Sequence, residues 1–106
     1  MNAKPPLDLA DHELLIVKSI LARHVPNATV WVFGSRATGK AKQFSDLDLC
    51  VKAPCAMSLD LTSAMAEDFA ESDLPWKVDI VDWWSISEGF RAIIERDQVL
   101  LQQGQT

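Results

Sequence analysis

Positive charge is scarce in this chain: ten lysines and arginines face fifteen aspartates and glutamates, giving a formal net charge of −5 and a pI near 4.8. That balance argues against a long nucleic-acid track, which would need a basic stripe to replace the counterions of a phosphate backbone. Cysteine is limited to Cys50 and Cys55, and neither belongs to a metal-like C-x-x-C pair. Cys50, in an apolar run, reads as a small buried hydrophobe. Apolar stretches are short, none approaching the roughly 20 residues of a membrane span. The opening MNAKPPLDLADHE has no apolar core of the kind a secretion signal needs, so a cytoplasmic location is expected. Repeats, linkers and low-complexity segments are missing, and tyrosine is absent altogether. His12 and His24 flank the first helical segment, far in sequence from the acidic residues discussed below.

What remains is 106 residues, enough for a single domain over 1–106. Surface scaling suggests that such a chain buries roughly 65% of its unfolded surface, sufficient for one core. Helical and strand patterns alternate, so the expected class is α/β: a small mixed sheet of three to five strands with helices mainly on one side. Leu14, Val17, Leu21 and Val25 recur at helical spacing after Asp11, read as the N-cap, and Pro26 ends the segment. Leu15, Ile16 and Ile20 fall outside that stripe and imply either a broad core-facing side or a partner surface. A second helix is expected after Ser58, with Leu61, Met65 and Phe69 at i, i+4, i+8. A third follows the capping-box pair Ser85 and Glu88, and Val99 to Leu101 reads as a last edge strand.

The most informative stretch is GSRATGKAKQFSDLD, from Gly34 to Asp48. The β-branched and aromatic run TVWVF predicts a buried strand ending at Gly34. Gly34 lets a phosphate approach the main chain without a Cβ in the way, and the Ser35 hydroxyl and nearby amides can donate to its oxygens. Asp46 and Asp48 open a second apolar run, DLDLCV, where alternation puts both carboxylates on one face and Leu47 and Leu49 on the other. Such a pair can converge on divalent ions, and hard oxygen ligands favour Mg²⁺ or Mn²⁺ over zinc.

A lone Asp-x-Asp is commonly an ordinary loop-to-strand junction. A third carboxylate changes the balance: KVDIVD, from Lys77 to Asp82, is a strand with an acid in its middle, costly there unless paired or metal-bound. Alternation sets Lys77, Asp79 and Val81 against Val78, Ile80 and Asp82, so Asp79 is the candidate metal ligand and Asp82 a strand-end cap. Arg36, Lys40 and Lys42 form the local cluster of positive charge, able to balance triphosphate oxygens or to serve as a solvated basic turn, with Arg36 nearest the Gly-Ser turn. Trp31, Trp76, Trp83 and Trp84 read chiefly as packing residues. WKVDIVDWW reads as a strand, so at most one of Trp83 and Trp84 is interior and the other is a candidate interface residue.

The Gly-Ser pair, the ten-residue spacer, the Asp-x-Asp and the later strand aspartate resemble the DNA polymerase β-type nucleotidyltransferase superfamily, and more narrowly its minimal nucleotidyltransferases. The similarity covers nearly the whole chain. It implies a polymerase β-like palm in which Asp46, Asp48 and Asp79 bind Mg²⁺ or Mn²⁺ and Asp79 helps activate an acceptor hydroxyl. Gly34 and Ser35 would hold the nucleotide's phosphates, and the positive charge of Arg36 and Lys42 makes them further nucleotide-binding candidates. The implied reaction is transfer of a nucleoside monophosphate, AMP from ATP in the common case, with release of pyrophosphate. The implied partner is a helical protein of the HEPN class, within a homo- or hetero-oligomer. Because the chain has no tyrosine, a tyrosine acceptor would have to lie on another chain. The competing reading is an antitoxin-type binding module that neutralises its partner by contact alone. A small-molecule acceptor is a third, weakened by the lack of room for a second substrate domain.

Overall fold

In the computed structural model, residues 7–104 are described. They form a four-stranded mixed sheet in the order β3-β2-β1-β4, with four helices and one 3₁₀ turn. The elements run α1 (Asp11–His24), β1 (Thr29–Phe33), α2 (Ser35–Thr38), β2 (Leu47–Lys52), α3 (Leu59–Ala70), β3 (Val78–Asp82), a 3₁₀ turn (Trp83–Ser85), α4 (Glu88–Asp97) and β4 (Val99–Gln102). β1 pairs antiparallel with both β2 and β4, whereas β2 and β3 run parallel, joined by the α3 crossover.

Period-two alternation divides the strands between two cores. Val30, Val32, Leu47, Leu49 and Val51 face α1 and α3, where they meet Val17, Ile20, Leu21, Met65 and Phe69. The opposite face carries Phe33 and Cys50 with Trp31 and Val81, covered by Ile94 and Phe90 of α4 and by Trp83. Two helices therefore cover one face, and α4 closes part of the other. α1 buries the broad side anticipated for it: Ile20 is buried and Ile16 half-buried, leaving Leu15 67% exposed.

Several boundaries differ from the sequence expectation. Ala10, not Asp11, is the N-cap of α1, and the Glu13 carboxylate accepts the Ala10 amide at 2.9 Å, so side-chain capping comes from inside the helix. Ser58 caps α3 as expected, its hydroxyl accepting the Leu61 amide. α4 is capped by Ser87, whose hydroxyl accepts the Phe90 amide, rather than by Ser85. The third strand stops at Asp82, whose carboxylate accepts the amides of Met57 and Trp84 and so turns the chain into the 3₁₀ segment. Trp83 and Trp84 lie in that turn instead of on a strand: Trp83 packs against Trp31 at 5.7 Å, and Trp84 stays 44% exposed.

Candidate active site

β1 ends at Phe33, and the chain turns at Gly34 with φ of 75° into the short helix α2, which Gly39 ends in a left-handed conformation. As at any helix start, the first amides have no intrahelical acceptor and point outward from the turn. The Gly34 carbonyl takes the Ala37 and Thr38 amides, which shapes the turn tightly. Register sets Phe33 opposite Asp48, so Gly34 stands directly beside that carboxylate. A Cβ at Gly34 would overlap the Asp48 carboxylate oxygen and lie 3.3 Å from its Cγ. Here glycine is required twice, for the positive φ and for the close approach.

Asp48 and Asp79 are direct register partners on the parallel strands β2 and β3. Burial raises the Asp48 pKa above its ordinary value, and the charges of Asp79 and then Asp46 raise it further. Asp48 thus feels both other carboxylates, as a like charge in a crowded site does. Asp46 lies just before β2 and is exposed, while Asp48 and Asp79 are half-buried. Among the described residues, no three histidine, cysteine, aspartate or glutamate side chains close into a ready-made metal cage. An open, all-oxygen set of this kind suits Mg²⁺, which takes one or two carboxylates and completes its shell with water and substrate phosphates. Asp82 faces away from this group, its oxygens committed to the Met57 and Trp84 amides.

Arg36 stands apart from the sequence expectation of a phosphate ligand. It is only 4% exposed, and its guanidinium donates to the carbonyls of Asp8, Lys42, Gln43 and Ser45 while stacking on Trp76 at 4.4 Å. Its donors are spent on the chain itself. The reason lies in the loop between α2 and β2, whose inward-turned carbonyls need a donor that no strand supplies. Lys40 and Lys42 are exposed, and Ser35 is half-buried at the start of α2. Sequence reasoning missed the Arg36–Trp76 pairing because the two residues lie forty positions apart and no spacing rule joins them.

A cleft of about 540 Å³ is elsewhere on this sheet face. It lies at the Thr29–Lys52 end of the β1–β2 ladder, lined by Trp31, Lys52, Trp84 and Leu100. Lys52 sits over Trp83 and Trp84 at 5.3 and 5.6 Å. The carboxylates lie at the opposite, Phe33–Asp48 end of the ladder.

A Gly-Ser turn beside two facing strand aspartates on a β-α-β-α-β frame defines a nucleotidyltransferase, and the chain belongs to that family: the model of the nucleotidyltransferase domain matches residues 14–103. The particular relative is equally specific. The chain is 47% identical over 103 residues to the Probable protein adenylyltransferase MntA of Haemophilus influenzae, covering 97% of this chain and 90% of that one. Among solved structures, one of a minimal nucleotidyltransferase aligns at TM-score 0.67 and 32% identity, over 83% of this chain and 88% of that one. A toxin–antitoxin structure with AMP-PNP aligns at TM-score 0.75 and 25% identity, over 87% and 74%. A third, the tri-AMPylated Shewanella oneidensis HEPN toxin in complex with MNT antitoxin, aligns at TM-score 0.67 and 22% identity over 85% and 69%, a likeness of fold.

Proposed function

We propose that this enzyme transfers AMP from ATP to a hydroxyl on a HEPN-class partner protein. The observation that carries the reading is the facing pair Asp48 and Asp79 beside the Gly34 turn, in a chain 47% identical to a protein named as a protein adenylyltransferase. AMP-PNP in the toxin–antitoxin relative supports ATP as the nucleotide and a toxin as the partner. The lack of tyrosine means that any tyrosine acceptor is supplied in trans.

In the proposed mechanism Gly34 keeps the turn open to the phosphates and Ser35 donates to their oxygens, helped by the unpaired amides at the start of α2. Lys42, exposed on the loop, adds positive charge near the triphosphate. Asp46, Asp48 and Asp79 would hold divalent Mg²⁺, which when bound neutralises triphosphate charge and lowers the acceptor's pKa. Asp79 accepts the acceptor's proton through a hydrogen bond as the hydroxyl oxygen attacks the α-phosphorus. The new P–O bond forms as the bond from the α-phosphorus to the bridging oxygen breaks, and pyrophosphate leaves with that electron pair. The raised pKa of Asp48 fits this assignment, because a carboxylate desolvated by burial and then crowded by like charges gains from a bound cation.

The carboxylate group also weighs against neutralisation by contact alone, since keeping Asp48 beside two like charges costs stability that a binding module would have no reason to bear. The test is the double variant Asp46→Asn, Asp48→Asn, co-expressed with the partner. Preserved complex formation with lost neutralisation supports catalysis. Unchanged neutralisation supports the binding module and defeats the proposal.

A further inference from the structure

We propose that Arg36, acting with Trp76, is a positioning residue that holds the three carriers of the transfer site in one register. The inference rests on the transferase reading above. It starts from an anomaly: among the described residues Arg36 is the one charged residue in the buried set, and it makes no salt bridge with a carboxylate. Burying a guanidinium without a counter-ion is costly unless every donor is satisfied. Here backbone carbonyls and an aromatic face do the satisfying. Nη1 donates to the Asp8 carbonyl at 2.8 Å, Nε and Nη2 to that of Ser45 at 3.0 and 2.8 Å, and Nη2 also to those of Gln43 and Lys42 at 3.2 and 3.4 Å.

These partners sit beside the proposed site groups. Arg36 directly follows Ser35, the Ser45 carbonyl directly precedes Asp46, and Trp76 leads into the strand that carries Asp79. A backbone bond from the Leu47 amide to the Lys77 carbonyl at 2.9 Å joins the second and third segments next to the clamp. Asp46 precedes the first ladder pair of β2, so sheet hydrogen bonding does not fix it. The guanidinium bonds tie Ser45, the residue before it, directly to the turn that would hold phosphate, whereas the other loop bonds, Ser45 with Lys42 and the Lys40 amide to the Ser35 carbonyl, reach it only in relay. Lysine cannot replace this fork: it has charge but neither the planar pair of donors nor the stacking face. The loop also presents Phe44, 66% exposed, so its rigidity does not come from burying that side chain.

The test measures metal–nucleotide binding without turnover. Mn²⁺ is titrated into the protein with an ATP analogue whose α,β bridge is methylene, and bound metal is read by electron paramagnetic resonance well below the unfolding temperature. Arg36→Lys is expected to weaken Mn²⁺ binding at least about tenfold, corresponding to some 1.4 kcal/mol. Leu21→Val, a core change in α1 outside the three segments, should lower thermal stability yet leave the affinity within about twofold of wild type. If Arg36→Lys is folded and binds like wild type, Arg36 only stabilises the fold and the inference is overturned. Should Arg36→Lys fail to fold, Trp76→Phe takes its place, with weakened binding expected and unchanged binding overturning the inference. A wild-type chain that binds no Mn²⁺–nucleotide would overturn the transferase reading itself, a result distinct from either variant's.

Discussion

Replacing Gly34 by alanine joins backbone, packing and chemistry in one perturbation. At φ of 75° and ψ of −156°, a region essentially reserved for glycine, an L-residue pays about 1–3 kcal/mol, so a fall in the unfolding midpoint is expected. The larger consequence is local. The new methyl would occupy space already held by the Asp48 carboxylate oxygen and would sit 3.3 Å from its Cγ. Relief requires the carboxylate or the turn to move by something on the order of an ångström, a displacement that costs about a hundredfold in rate when it falls among reacting groups. The expected result is a folded protein, by circular dichroism and denaturant titration, whose AMP transfer is down about a hundredfold or more. Activity within a few-fold of wild type, with stability also unchanged, would refute the claim that Gly34 and Asp48 share one crowded site.

Asp48→Asn should separate stability from activity. Because the folded-state pKa of Asp48 is raised, the folded protein holds its proton more tightly than the unfolded chain, and stability falls as pH rises from the ordinary aspartate range through that raised value. The asparagine variant, measured in chelator at neutral pH, should therefore melt higher than wild type while losing transfer. Asp68 behaves in the opposite sense: the hydrogen bond from His24 lowers its pKa, so the link from α1 to α3 adds stability above the ordinary aspartate range that is lost as pH falls through the lowered value. Asp68→Asn should lower the melting temperature near neutral pH, a gap that closes in acid, with transfer unaffected. Leu49→Ala, at a fully buried position on β2, should cost about 2–5 kcal/mol in a urea titration.

Much of this architecture was legible because it obeys simple periods. Alternation in DLDLCV and VDIVD set Asp48 and Asp79 on one face and turned Asp82 toward the strand end, and the apolar spacing of Leu61, Met65 and Phe69 marked the buried side of α3. The misses have physical causes as well. Ser85 and Ser87 are equally good caps by composition, and the choice fell to Ser87 because Asp82 captures the Trp84 amide and starts a 3₁₀ turn first. Arg36 looked like a phosphate ligand since it follows the Gly-Ser pair, yet loop carbonyls and a distant tryptophan claim its guanidinium. Long-range satisfaction of buried polar groups leaves no periodic trace in a sequence.

The central claim is catalytic, and the most direct measurement follows label from the α-phosphate of ATP in the presence of Mg²⁺, this chain and the proposed HEPN-class partner. The account predicts label on the partner and none on this chain's own side chains, with the signal abolished by the Asp46→Asn, Asp48→Asn double variant. A stable complex that never acquires label, or labelling that survives loss of both aspartates, would contradict it.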